Sequence, residues 1–253
     1  MLKFRQCIRG MGLLLSSTLL VIAIVFAETK RMDRTCQGIE LVIVGDTTQP
    51  LVEKEGLLKR LTASTSQPII DAPLQGLAIR SIENTIKSNS FVREGVVYKN
   101  WKGVLKIALA PRRPIARMLY PHQQSQYVDE DGTLLPLSGQ YTARVLLVEA
   151  EQLPGISRNL NESSYGTALL ALFNYINQDP FWRAQIAHMH IDKQGKIVMN
   201  TQVSKQRIEL GLPYAIEKKM AKLKCFYKQI IPYKGWNTYK RVNLEFDKQI
   251  VCE

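Results

Sequence analysis

The stretch from Lys102 to Leu119, KGVLKIALAPRRPIARML, decides how this chain is divided. Leu105, Ile107 and Leu109 fall on one side of an extended chain and Lys106, Ala108 and Ala110 on the other, the period of a half-buried strand. The alternation then meets Pro111-Arg112-Arg113-Pro114. Two prolines around two arginines suit a basic patch for an acidic partner, or the place where one strand stops and the chain turns into a new unit. The residues alone leave both readings open.

Upstream, Phe91 to Tyr98 is a second strand-like run, joined to Val104–Ala110 by Lys99-Asn-Trp-Lys-Gly103, a loop ending in the glycine that hairpins use. Before it, Leu77 to Ser88 returns Leu77, Ile82 and Ile86 to one face, and Leu51 to Thr62 spaces Leu51, Leu57, Leu58 and Leu61 at near-helical intervals, with Pro68 and Pro73 between the two helices. Ile39, Leu41 and Ile43 alternate with Glu40 and Val42 in a first strand. The order β-α-α-β-β is expected over residues 36–113.

Downstream, residues 114–253 read as a β-rich domain with flanking helices, which makes the whole an α+β chain. Ile115–Leu119, Tyr127-Val128, Thr133–Leu135, Ala143–Val148, Lys196–Val203 and Arg207–Gly211 are strand-like. Asp129-Glu-Asp131-Gly132 resembles the start of a calcium loop but lacks the later ligands and the bidentate glutamate, so a hairpin turn is expected. A helix is expected from Asn161 to Asn177, with an inward face of Leu169, Leu170, Leu172, Phe173 and Ile176, and further helical turns over Phe181–Ala187. A second long helix, Leu212–Gln229, has Pro213 in its first turn. The chain then finishes on strands: from Trp236 to Cys252, Tyr239, Arg241, Asn243, Glu245 and Asp247 alternate with Val242, Leu244 and Phe246. His188 and His190 share a strand face with Asp192 nearby, a pattern that suits a solvated face better than a metal site.

The N-terminal end sets the compartment. Met11 to Ala27 carries no charge and is preceded by Lys3, Arg5 and Arg9, which marks that side as cytoplasmic. The expected layout is a tail at 1–9, a membrane span at 10–27 and a connector at 28–35. The alternative is cleavage after Val25-Phe26-Ala27, leaving a secreted basic binding protein that begins at Glu28. The apolar run exceeds the usual signal core of about 7–15 residues and no helix breaker precedes Ala27, so a retained anchor is the reading adopted. Cys36, Cys225 and Cys252 follow the span; buried free thiols are expected, and a Cys36–Cys252 or Cys225–Cys252 disulfide stays open.

Lys and Arg number 34 against 22 acidic residues, a net charge of +12, which attracts anionic lipid, glycan or nucleic acid; no arginine-rich arm of a nucleic-acid binder is present. Hydrophobic residues make up 45 %, the composition of a chain that buries a core. His122, His188 and His190 stand near no G-x-S-x-G stretch, and there is no P-loop, GxGxxG or zinc signature. No enzyme, cofactor or small-molecule substrate is expected.

The span, the β-α-α-β-β module, Leu105-Lys-Ile-Ala-Leu109 running into Arg112-x-Pro114-Ile-Ala116, Tyr127-Val-Asp-Glu-Asp-Gly132 and Leu135-Pro-Leu137 together resemble the FtsQ/DivIB family of bacterial cell-division proteins over nearly the whole chain. The resemblance implies that the first module is a POTRA domain and that Arg112 and Pro114 mark a domain junction, with Arg112 bracing it; Pro111 stands where the family has glutamate. It implies a single-pass inner-membrane protein, mostly periplasmic, that binds FtsB- and FtsL-type partners and helps coordinate septal peptidoglycan synthesis. The partner is expected to add a strand at an edge formed by Asn243, Leu244, Glu245, Phe246, Asp247, Lys248, Gln249, Ile250 and Val251, with Phe246 as an apolar anchor. The family pattern D-L-R-Y-x-x-G falls on Asn243–Gln249, where Glu245 replaces arginine and Gln249 replaces glycine. An outer-membrane secretion partner also carries POTRA-like modules, but the chain is too short for its β-barrel.

Overall fold

The computed structural model describes residues 17–25, 35–45, 51–64, 68–121, 123–151, 153, 156–204 and 206–253. Residues 17–25 are helical; among the described residues no helix is long and apolar enough to cross a membrane, and the remainder of the expected span lies outside them. His122 and Cys7 also lie outside the described residues. Packing divides the rest into two units, with the boundary between Pro111 and Arg112.

The first unit contains β1 (Gly38–Ile43), α1 (Lys54–Ser64), α2 (Ile79–Lys87), β2 (Val92–Lys99) and β3 (Val104–Pro111). Its sheet has the order β1-β3-β2, with β1 parallel and β2 antiparallel to β3. Leu105, Ile107 and Leu109 are fully buried and pack with Leu57, Leu61, Ile82 and Ile86 from the two helices, which is what the period-two and near-helical spacings require. Gly95 lets α2 come close, since a Cβ there would lie 2.7 Å from Ile86 Cγ2. The edge of β2 is partly blunted, because Val97 N–H donates to Glu83 Oε1 at 3.0 Å.

The second unit is one mixed sheet of nine strands in the order β12-β11-β10-β9-β8-β7-β4-β5-β6. The strands are β4 (Pro114–Leu119), β5 (Gln126–Asp129), β6 (Leu134–Pro136), β7 (Leu146–Ala150), β8 (Ile186–Ile191), β9 (Ile197–Thr201), β10 (Arg207–Gly211), β11 (Arg241–Asn243) and β12 (Val251–Cys252). Three neighbouring pairs are parallel, β4 with β7, β7 with β8 and β10 with β11; the last two join strands consecutive in the chain and need crossovers. Helices α3 (Ser164–Gln178) and α4 (Pro180–Gln185) make the first; α5 (Ile216–Gln229) and α6 (Ile231–Lys234) make the second. Ser163 Oγ caps α3 by accepting from Gly166 N–H, and Asp179 caps α4 ahead of Pro180. Lys224 Nζ reaches Asp179 Oδ2 at 2.8 Å and ties α5 to the α3–α4 corner. Leu169, Leu172, Phe173, Ile176, Met220, Leu223 and Phe226 fill the core against one sheet face. Along β7 the burial alternates, so Leu147 and Glu149 face outward.

Four expectations are corrected. The strand expected from Ala143 begins at Leu146, because Ala143 N–H donates to Tyr127 Oη at 3.1 Å rather than to a ladder partner. The helix expected from Leu212 begins at Ile216, so Pro213 precedes it. Gly211 and Ala215 both have positive φ, +70° and +52°, and Lys219 Nζ takes the carbonyls of Leu210 and Leu212 that would otherwise face a first turn. The long terminal strand is two short ones separated by residues 244–250. Of the cysteines expected to be buried, Cys36 is, Cys252 is half-buried and Cys225 is exposed; all three are free thiols, with Cys225 Sγ donating to Gln229 Oε1 at 3.2 Å.

Candidate partner-binding edge

The C-terminal end of the sheet is assembled from β10, β11 and β12. Arg241 on β11 lies directly beside Arg207 of β10 in parallel register, and Asn243 beside Glu209. Arg241 donates from Nε and Nη2 to the two oxygens of Glu209 at 2.9 and 2.8 Å, and from Nη1 to Glu253 Oε1 at 3.0 Å. Asn243 Nδ2 donates to Glu209 Oε2 at 2.9 Å. Arg241 holds the Glu209 carboxyl below its ordinary range, against the smaller opposing effect of burial, and the two glutamates hold the Arg241 guanidinium protonated. The network clamps the last residue of the chain to two neighbouring strands.

Among the described residues β11 is an inner strand and β12 is the open edge at this end. Arg241 and Glu253 exchange both backbone hydrogen bonds at 3.0 Å, which makes the next pair, Val242 and Cys252, a non-bonded one. The Cys252 N–H and C=O point away from β11, toward the open side. Burial raises the Cys252 thiol above its ordinary pKa.

The expected site residues separate accordingly. Asn243 and Leu244 are buried, and Leu244 belongs to the core. Asn243 Oδ1 accepts from Glu245 N–H at 2.8 Å, a local bond that turns the chain out of the ladder. Lys222 Nζ then donates to the carbonyls of Leu244 and Phe246, fixing the turn from α5. Glu245 to Gln249 are exposed; Phe246 shows 48 % of its surface, which removes it from the core. Ile250, just before β12, and Val251, its first residue, are half-buried. Glu245, one of the two departures from the expected pattern, meets Lys196 just ahead of β9 at 3.1 Å and so has an internal counter-charge.

The residues that sequence reading missed are Glu209, Lys222, Arg241, Cys252 and Glu253. The alternation of Arg241 with Val242 is visible in the sequence, but the parallel register that brings Glu209 beside Asn243 is tertiary.

Arg112 and Pro114 both engage the β5–β6 turn of the second unit. Arg112 Nη1 donates to Asp129 Oδ2 at 2.6 Å and Thr133 Oγ1 at 3.1 Å, and Pro114 lies opposite Asp129. Asp129, 1 % exposed, uses its other oxygen to accept from the N–H groups of Asp131 and Thr133. The Asp129–Gly132 segment is thus a hairpin turn, with Gly132 at φ +84°. On the outer sheet face, Glu149 lies 3.2 Å from His188 Nε2 and 3.8 Å from His190 Nδ1, while Asn200 Nδ2 donates to His188 Nδ1 at 3.1 Å. Asp192 turns away and accepts from the N–H groups of Gln194 and Lys196. No group of metal-ligating side chains is assembled among the described residues.

No curated protein matches the chain. Residues 34–110 match the family described as a POTRA-like domain, the β-α-α-β-β unit seen here. Residues 113–253, more than half of the chain and nearly all of the nine-stranded unit, match the family described as FtsQ/DivIB, C-terminal related. With both matches in the order that FtsQ/DivIB proteins have, the chain belongs to the FtsQ/DivIB family and its role is in cell division.

Proposed function

We propose that this protein is a non-enzymatic divisome component, held in the inner membrane by residues 10–27 with the bulk of the chain periplasmic, that gathers FtsB- and FtsL-type partners at the division septum. Through them it helps coordinate septal peptidoglycan synthesis. The observation that carries this reading is the open β12 edge, where Cys252 N–H and C=O face outward a few residues from the half-exposed Phe246. A partner segment laid beside Val251–Cys252 extends the sheet by backbone pairing, and an exposed aromatic ring next to such an edge supplies an apolar anchor.

The test is binding of the extracytoplasmic segments of FtsB- and FtsL-type proteins to the full chain in detergent. Phe246→Ala is expected to weaken binding about tenfold or more, the loss of an anchor worth roughly 1.4–2 kcal/mol. Its far-ultraviolet circular dichroism and melting stay as in wild type, since the ring contributes little to the core. Absence of binding by the folded wild-type chain would refute the reading.

A further inference from the structure

The first unit presents an exposed aromatic tip far along the chain from the β12 edge. Between β2 and β3 the hairpin turns through Asn100–Gly103, with Trp101 79 % exposed and Tyr98 47 % exposed on the strand leading to it. Lys102 Nζ lies 5.1 Å from the centre of the Trp101 ring, and Lys99 ends β2. The tip has a fixed shape: Asn100 Oδ1 accepts from the N–H groups of Lys102 and Val104, both at 2.9 Å. Gly103 has φ +86°, and a Cβ there would lie 3.2 Å from Thr35 O.

What adjoins the tip tells where it is held. Gln37 N–H donates to Gly103 C=O at 3.0 Å, and Gly38 lies beside Val104 in the parallel β1–β3 register. The tip thus stands at the corner where the chain enters the first unit. From Ala27, the end of the uncharged run, to Thr35 there are eight Cα steps, which fully extended reach at most about 28 Å. Tryptophan and tyrosine settle at membrane–water interfaces, and lysines next to them are drawn to anionic headgroups.

We propose that Trp101, with Tyr98, Lys99 and Lys102, docks the first unit on the surface of an anionic bilayer, the indole seated among the headgroups. This rests on residues 10–27 being a membrane span. Docking at the entry corner fixes the orientation of the first unit to the membrane independently of what binds the β12 edge.

The experiment uses the full chain carrying Trp236→Phe, reconstituted into phosphatidylcholine–phosphatidylglycerol vesicles with and without lipid brominated high on its acyl chains. Trp182 is fully buried and serves as an unquenched reference. Brominated lipid is expected to quench the emission, the quenching to vanish in Trp101→Phe, and to fall about twofold or more in the double variant Lys99→Glu, Lys102→Glu, with little change in vesicles of phosphatidylcholine alone. Circular dichroism checks that each variant is folded. Extraction of the same vesicles with alkaline carbonate separates the two ways of failing. A retained chain whose Trp101 is not quenched overturns the docking proposal alone; a chain that washes off unquenched overturns the span and the proposal with it.

Discussion

Glu209 shows how a single carboxylate positions the end of the chain. It accepts from Arg241 twice and from Asn243 once, and Arg241 is the main reason that its pKa lies below the ordinary range. A carboxyl with a depressed folded-state pKa adds stability above its unfolded value of about 4.3, and that stability is lost as pH falls through the lower folded value. The melting temperature of wild type is therefore expected to fall more between about pH 5 and pH 3 than that of Glu209→Gln, which keeps the shape but not the charge. Equal falls would show that the clamp contributes nothing. At this scale the sequence is least legible. Nothing in it pairs Arg112 with Asp129, or Glu209 with Arg241, because each pair is brought together by strand register. Phe246 is a similar case: its place in an alternating run says that it shares a side with Leu244, whereas the Asn243 bond to Glu245 N–H turns one outward and leaves the other in the core.

Elements with a strong period were legible and their ends were not. The apolar faces of α2, α3 and β3 follow directly from the spacing of Ile82 and Ile86, of Leu169, Leu172, Phe173 and Ile176, and of Leu105, Ile107 and Leu109. The ends of β7, α5 and β11 are set by side chains distant in sequence or reaching back from the element itself: Tyr127 takes the Ala143 N–H, Lys219 of α5 reaches back to two carbonyls before the helix, and Lys222 takes two after β11. Lys222 is the most informative, since it joins α5 to the turn that carries Phe246. Lys222→Met keeps helix propensity and the apolar stem but releases both carbonyls. Amide exchange over residues 244–250 is expected to quicken, with the amides of α5 unchanged, and partner affinity to fall by a few-fold, roughly the worth of one charged hydrogen bond to a mobile segment. Unchanged exchange in 244–250 would mean that the turn holds without its lysine.

At the scale of the molecule, an alternating run ending against two prolines suggests a boundary between residues 113 and 114, whereas packing divides the chain at Pro111–Arg112; the β-α-α-β-β order of the first unit could be read strand by strand. The nine-strand order of the second unit could not: its parallel crossovers place β7 beside β4 and β10 beside β11 across long intervening segments. The same order determines which edge is open, and so which end of the sheet meets a partner. Two edges compete, β12 at one end and β6, Leu134–Pro136, at the other. Amide hydrogen exchange of the full chain, with and without a saturating FtsB-type extracytoplasmic segment, distinguishes them directly. Strand addition at β12 predicts new protection at Cys252 and its neighbours in residues 250–253 and none at 134–136; protection confined to 134–136, or binding with no change at 250–253, would contradict it.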